Sequence, residues 1–189
     1  MKTCPWPRNN PKMIEYHDKE WGTPLHDDRK IFEFMILDAF QAGLSWSIVL
    51  AKREGFEKAF AKFDPKKVAK FNSDKIKNLV NNPEIIRNKL KIMATIENTK
   101  RFLEVQKEFG TFDKYIWQFV GNKPLDSKRK NLKNLPSRSR ESDAMSKDLQ
   151  KRGFKFVGST ICYAFMQAAG MVNDHMVYCF RYKELKKLG

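Results

Sequence analysis

The chain has 189 residues, a length that suits one domain. Hydrophobic residues make up 41% of it, with fifteen Phe and four Trp, which excludes a disordered chain. The formal net charge of +15 exceeds what folding needs and creates an attractive field for polyanions, although an ordinary basic cytosolic enzyme could carry it too.

The chain opens with MKTCPWPRNNPK, which has no apolar core region and does not read as a signal peptide. Asp27 and Asp28 then precede RKIFEFMILDAF, with apolar residues at Ile31, Phe34, Met35 and Leu37, the pattern of a helix. Ser45 is placed to cap a helix over WSIVLAKRE. Asp64–Pro65 reads as an N-cap with proline in the first helical position. Ser73 is placed to start DKIKNLV. Pro83 opens a long helical segment that ends at Gly110. Thr111 can cap FDKYIWQFV. Ser142 can cap DAMSKDLQKR, which Gly153 should stop. Thr160 to Ala169 reads as a further helix, stopped by Gly170.

Strand signals are nearly absent and no repeat is seen, so the expected fold is all-α, with many short helices and short loops. The stretch Gly121 to Ser142 holds seven basic and two acidic residues and almost no large apolar ones. It reads as a long solvated loop, with contact to phosphates as the alternative. The longest nearly apolar run, Ile161 to Val172, is too short to span a bilayer and contains Gln167. Three widely spaced cysteines argue against a disulfide framework and for a reducing, cytoplasmic compartment.

Two constellations stand out. The first is LQKRGFKFVGSTICYAFMQAAG, in which a basic helix, a tight turn and a second helix follow one another. Gly158 allows close backbone approach, and the helix beginning at Ser159 offers unpaired N–H groups to a phosphate. Lys151, Arg152 and Lys155 add charge, and Phe156 and Val157 shape the turn. This segment resembles the helix-hairpin-helix motif of DNA glycosylases, which holds backbone without reading bases. An ordinary αα-hairpin is the plainer alternative. The second constellation is Cys4 and His17 near one end with His175 and Cys179 near the other. A spacing of four would put the last pair on one helical face. Two Cys and two His fill a tetrahedral zinc site with no open position. From spacing alone, a His-x-x-x-Cys pair is more often incidental, and the long gap between the two pairs has no standard zinc-finger form. Cys162 reads as core, His26 as a loop residue and Trp117 as core.

The segment CPWPRNNPKMIEYHDKEWGTPLHDDRKIFEFMILDAFQAGLSW resembles the N-terminus of the 3-methyladenine DNA glycosylase I family. FDPKKVA, IIRNKLKI, FGTFDKYIWQFV and KRGFKFVGSTICYAFMQAAGMVNDH resemble it too, so the similarity runs from Cys4 to Cys179. The resemblance implies a single helix-hairpin-helix glycosylase domain over residues 1–189, with the hairpin at about 143–170. It implies one structural Zn²⁺ on Cys4, His17, His175 and Cys179, tying the termini together. It implies release of 3-methyladenine from alkylated double-stranded DNA, leaving an abasic site. A flipped-base pocket and a backbone clamp work within one chain, so a monomer is expected, in the cytoplasm that the cysteine usage indicates.

The residues offer chemistry for that task. A base must be flipped out of the duplex to be reached. Aromatic faces attract a cationic base, and a carboxylate balances its charge. Trp46, Tyr16, Trp21 and Trp6 are the aromatic candidates and Asp38 the carboxylate. On residues alone, Asp38 reads equally as a capping or ion-paired aspartate. Many relatives carry Glu at this position, so Asp38 reaches less far by roughly 1.5 Å. Met13 stands where some relatives have an aromatic residue and can contact a base through sulfur. The Ala42–Gly43–Leu44 turn offers Leu44 as a wedge for the emptied stack. The alternative function is a DNA or abasic-site binding protein without catalysis.

Overall fold

A computed structural model describes residues 2–188. Eleven α-helices and two very short strands occur among them. The helices run α1 Pro11–Lys19, α2 Asp28–Gln41, α3 Trp46–Ala51, α4 Arg53–Ala59, α5 Pro65–Val68, α6 Ser73–Asn81, α7 Lys89–Phe109, α8 Phe112–Trp117, α9 Arg140–Lys151, α10 Ser159–Ala168 and α11 Phe180–Leu185. The strands β1 Leu125–Asp126 and β2 Val172–Asn173 pair in parallel. The expectation of a mostly helical chain is met. No helix among the described residues is long and apolar enough to cross a membrane.

The core forms around α2. Ile31, Phe34, Leu37 and Phe40 are fully or almost fully buried on it, and Glu33 and Asp38 are buried as well. A helix buried on nearly every side sits at a domain's centre. It packs against α3, α7, α8 and α10. Phe102 and Phe112 stack 4.1 Å apart beside it, joining α7 to α8. Asp27 caps α2 by accepting from the Lys30 amide. Asp28 in turn accepts from the amides of Phe112 and Asp113, which fixes the start of α8. At the other end, buried Lys91 of α7 donates to the carbonyls of Phe40 at 2.9 Å and Ala42 at 2.6 Å, so an ammonium closes the C-terminus of α2.

Several sequence boundaries move. The helix expected from Pro83 begins at Lys89, because the Asn88 side chain accepts from the Lys91 amide and caps there. The helix expected over WSIVLAKRE breaks at Lys52, which leaves helical backbone and sends its ammonium to the Pro83 carbonyl. The cap of α6 is Asn72 rather than Ser73, since the Asn72 carbonyl oxygen reaches the Lys75 amide. The cap of α9 is Ser139, and Ser142 supplies the reciprocal half of its capping box. The last predicted helix starts at Ser159, where the hairpin reading put it. Helices α1 and α11 were not anticipated. Asn10 caps α1 just before Pro11, a start signal present in the sequence.

The basic stretch 121–142 is not wholly solvated. β1 hydrogen-bonds along β2, and the Arg129 carbonyl accepts from the Val177 amide at 2.8 Å. Lys123, Lys128, Lys130, Lys133 and Arg138 remain exposed on its outer side.

Helix α10 ends at Ala168, and Gly170 just after its cap has a φ of +68°. A Cβ there would lie 2.3 Å from the Thr23 backbone carbon. This close approach lets the Gly22 and Leu25 amides bond to the carbonyls of Gln167 and Ala169, each at 3.0 Å. The segment carrying Trp21 is thereby fastened to the end of α10.

Candidate functional site

Two sites share a wall. The first is a cavity of about 170 Å³ between α1, α2, α3 and α10. Trp6, Met13, Tyr16, Trp21, Asp38 and Trp46 all line it. The structure therefore brings together the whole set of base-contact candidates read from the sequence. Tyr16 and Trp46 lie with ring centroids 5.3 Å apart, and Trp6 meets Trp21 edge-on at 5.0 Å. Phe34 backs Trp46 at 6.5 Å, and the Arg53 guanidinium sits over the Phe34 ring at 5.4 Å. Arg53 also pairs with Glu20 and Glu33, tying the end of α1 to α2.

The polar atoms of this cavity are unusual. Five buried side-chain N or O atoms among the described residues have no hydrogen-bond partner. Four of them belong to cavity residues: Trp6 Nε1, Tyr16 Oη, Trp46 Nε1 and Asp38 Oδ2. Each such group costs on the order of 1–3 kcal/mol in a folded protein, so these four atoms are left to meet the polar groups of whatever enters the cavity. Burial pushes the Asp38 carboxyl well above the usual carboxylate range. Burial, with Asp38 nearby, pushes the Tyr16 phenol up, which keeps it a donor.

Sequence reasoning missed five lining residues: Gln41, Leu135, Ala164, Gln167 and Ala168. Gln41 follows Asp38 at one helical turn, a spacing that could have found it. Gln167 interrupts an apolar helix, the same kind of signal as Asp38. Leu135 comes from the basic stretch and carried no signal.

The second site is the cluster of Cys4, His17, His175 and Cys179, all buried, whose four ligand atoms lie within 4.8 Å of one another. It can hold a metal ion. His175 and Cys179 do not stack on a helix as their spacing suggested. A turn closed by the Cys179 amide on the Met176 carbonyl brings them together, and Cys179 is the N-cap of α11. Cys4 Sγ lies 3.6 Å from His175 Nδ1, and Cys179 Sγ lies 3.6 Å from both His17 Nε2 and His175 Nδ1. The outer ring nitrogens are also engaged. His17 Nδ1 bonds Asp18 at 2.6 Å, and His175 Nε2 bonds the Trp21 carbonyl at 2.9 Å. Hydrogen bonds from Cys4, His17 and His175 hold the Cys179 thiol far below its usual range, and its anion pushes Cys4 up.

The hairpin candidates sit between α9 and α10. Ser146 Oγ donates to the Val157 carbonyl at 2.7 Å, and so does the Cys162 thiol at 3.2 Å, which fixes the turn. Gly158 leaves the first amides of α10 without a side-chain cap. Lys151 and Lys155 are exposed beside them. Arg152 does not fit the role read from the sequence. Its guanidinium is taken up by Glu108 and Asp148 and lies over the Tyr115 ring. Ser159 Oγ bonds both Ser142 and Asp143, so it braces the hairpin. Gly43, at φ +77°, and Leu44, 40% exposed, form a turn directly after cavity residue Gln41. Asp174 is buried and its carboxylate is fully used by Arg129, Tyr163 and Gln167. These bonds hold it below the usual carboxylate range against the opposing effect of burial.

This arrangement has close relatives. The chain is 46% identical over 182 residues to DNA-3-methyladenine glycosylase 1 of Escherichia coli K12, covering 96% of this chain and 97% of that one. It is 45% identical over 176 residues to DNA-3-methyladenine glycosylase of Haemophilus influenzae, covering 93% and 95%. A crystal structure of 3-methyladenine DNA glycosylase I matches with a TM-score of 0.92 at 44% identity, over 95% of this chain and 98% of that one. The Staphylococcus aureus structure described as the structural basis of 3-methyladenine recognition also matches at 0.92, with 33% identity over 95% and 96%. The family model described as methyladenine glycosylase matches residues 6–182, from the cavity's Trp6 to the last turns of the chain, and the protein belongs to that family.

Proposed function

We propose that the protein is a monofunctional DNA glycosylase that hydrolyses the N-glycosidic bond of 3-methyladenine in alkylated double-stranded DNA, releasing the base and leaving an abasic site. The observation that carries this reading is the cavity itself. It has aromatic walls and four orphaned buried polar atoms, and it is sized for one nucleobase. The names of the relatives agree with it.

The residues divide the work by their chemistry. Tyr16, Trp46 and Trp6 present faces that favour a cationic base over a neutral one. Burial raises the Asp38 carboxyl, and a cation entering beside it is balanced by its charge. Met13 and Trp21 complete the wall. A 3-methylated adenine leaves as a neutral base, so no strong general acid is needed. The pocket need only favour the stretched, oxocarbenium-like state. Asp174, with its carboxylate fully bonded, serves structure rather than proton transfer. Lys151, Lys155, Phe156, Val157, Gly158 and Ser159 form the backbone clamp of a helix-hairpin-helix motif at about 143–170. Gly43 and Leu44 serve the emptied stack. Arg152 contributes by bracing α9.

Zinc is the ion that suits the Cys/His cluster. Zn–S of about 2.3 Å and Zn–N of about 2.05 Å at tetrahedral angles imply S···N edges of about 3.6 Å. Three of the four S···N separations here are 3.6 Å, and all four ligand atoms lie within 4.8 Å of one another. Both histidines have their second nitrogen engaged, as metal-ligating imidazoles do. When bound, the ion supplies a structural tie between the two ends of a single domain, 1–189. The same reading makes the protein a cytoplasmic monomer.

The second reading is a DNA or abasic-site binding protein without catalysis, favoured only by the short carboxylate at position 38. Incubation with methylated duplex DNA, followed by chromatography of released bases, separates the two. Release of 3-methyladenine by wild type with strong loss in Asp38→Asn supports the glycosylase. Tight DNA binding with no release by zinc-loaded wild type sinks it.

A further inference from the structure

Gln167 lines the cavity from α10, which packs against α2, the helix that carries Asp38. Its amide has two ends, a donor and an acceptor, and the surroundings decide which end the cavity meets. Nε2 of Gln167 donates to Asp174 Oδ2 at 2.8 Å. Asp174 Oδ2 also receives the Tyr163 hydroxyl at 2.6 Å, and Oδ1 receives Arg129 Nε at 2.8 Å. A carboxylate paired with a guanidinium can only accept, so the Gln167 amide cannot turn its oxygen that way. Oε1 accepts no hydrogen bond among the described residues. The backbone around it is pinned, because the Gln167 carbonyl receives the Gly22 amide.

We infer that Gln167 is a specificity-determining residue whose Oε1 is aimed at the bound base as an acceptor, and that Asp174 is the positioning residue that fixes this orientation. The inference rests on the proposed base-excision function. An acceptor at this place recognises an exocyclic amino group and repels a carbonyl in the same position. The cavity therefore selects 6-amino purines over 6-oxo purines, and the selection comes from α10 independently of Asp38. A hydrogen bond that one base makes and the other replaces with acceptor–acceptor repulsion discriminates strongly, because the site's own group is left unpaired.

Free 3-methyladenine and its 6-oxo counterpart, 3-methylhypoxanthine, are titrated into zinc-loaded protein, with quenching of the cavity tryptophans as the signal. Wild type should prefer the amino base. Gln167→Met keeps the length of the side chain without its polar end, and should reduce that preference by about tenfold. Asp174→Asn lets the Gln167 amide turn, and should shift the preference in the same direction. Should Asp174→Asn fail to fold, Gln167→Met still decides. A wild-type preference that survives Gln167→Met unchanged, or equal weakening of both bases, overturns this inference alone. Equal wild-type affinity for the two bases overturns it as well. Binding of neither base by wild type overturns the base-excision reading and this inference with it.

Discussion

Trp21 lines the aromatic cavity while its ring lies 4.6 Å from that of His175, in edge-on contact, and its carbonyl accepts from the same imidazole. Trp6, two residues after Cys4, repeats the relationship with His17 at 5.4 Å. The Cys/His cluster is thus the foundation of one cavity wall. Metal analysis should find one zinc per chain. Chelation, or Cys179→Ser, should lower the melting temperature by about 10 °C, since several kcal/mol of binding free energy would be withdrawn. It should also weaken binding of free 3-methyladenine. Zinc-depleted protein with unchanged melting and unchanged base binding would contradict the tie.

Asp38 should cost stability in exchange for function. Its folded-state pKa is raised by burial, so the folded protein holds this proton more tightly than the unfolded chain does. The stabilisation is fully present below the ordinary carboxylate range and is lost as pH rises through the raised value. Asp38→Asn removes the titration. At pH 8 the variant should be more stable than wild type by about 1–2 kcal/mol, with the gap closing towards pH 4. Chemical denaturation at the two pH values reads this directly. A variant less stable than wild type at pH 8 would mean that Asp38 has a partner in the folded protein.

Local signals in this chain were legible where one residue carried the physics. Asp27, Asp64 and Thr111 cap the helices they were assigned to, and Gly110 ends α7 at φ +85°. The six cavity residues on the N-terminal half were legible because the resemblance named them together. Features made by distant contact were not. The His175–Cys179 spacing suggested a helix, yet a turn gives the same convergence. Arg152 looked free in the sequence, and only the fold brings Glu108 to it across 44 positions. Leu135 and Arg129 lie in a stretch whose charge concealed that it runs along β2.

Lys91 should matter more than a basic residue in this chain would suggest. Its buried ammonium is the cap for the Phe40 and Ala42 carbonyls, and desolvation holds its pKa below the usual lysine value. Lys91→Met keeps the stem and removes both charged hydrogen bonds. Stability should fall by about 2–3 kcal/mol, measured by denaturant unfolding. The Ala42–Gly43–Leu44 turn that starts at this cap should exchange amide hydrogens faster. Unchanged stability would show that the two carbonyls find other donors.

Leu44 is the test of how the cavity meets a duplex. The turn is held by the Leu44 amide on the Gln41 carbonyl at 2.6 Å, and Gln41 itself lines the cavity. Leu44 is therefore an exposed apolar side chain at the cavity's edge, with Ile48 also exposed one turn into α3. An apolar group so placed can occupy the gap left when a base swings out, compensating part of the lost stacking. Leu44→Ala should weaken binding to a lesion-containing duplex by about tenfold, a loss of the order of one unstacked step. The same change should leave affinity for free 3-methyladenine intact, because the residue lies outside the cavity lining. Fluorescence titration of both ligands compares the two in one protein. Equal duplex affinity in variant and wild type would remove Leu44 from the interface, and a parallel loss for the free base would place its effect on the cavity instead.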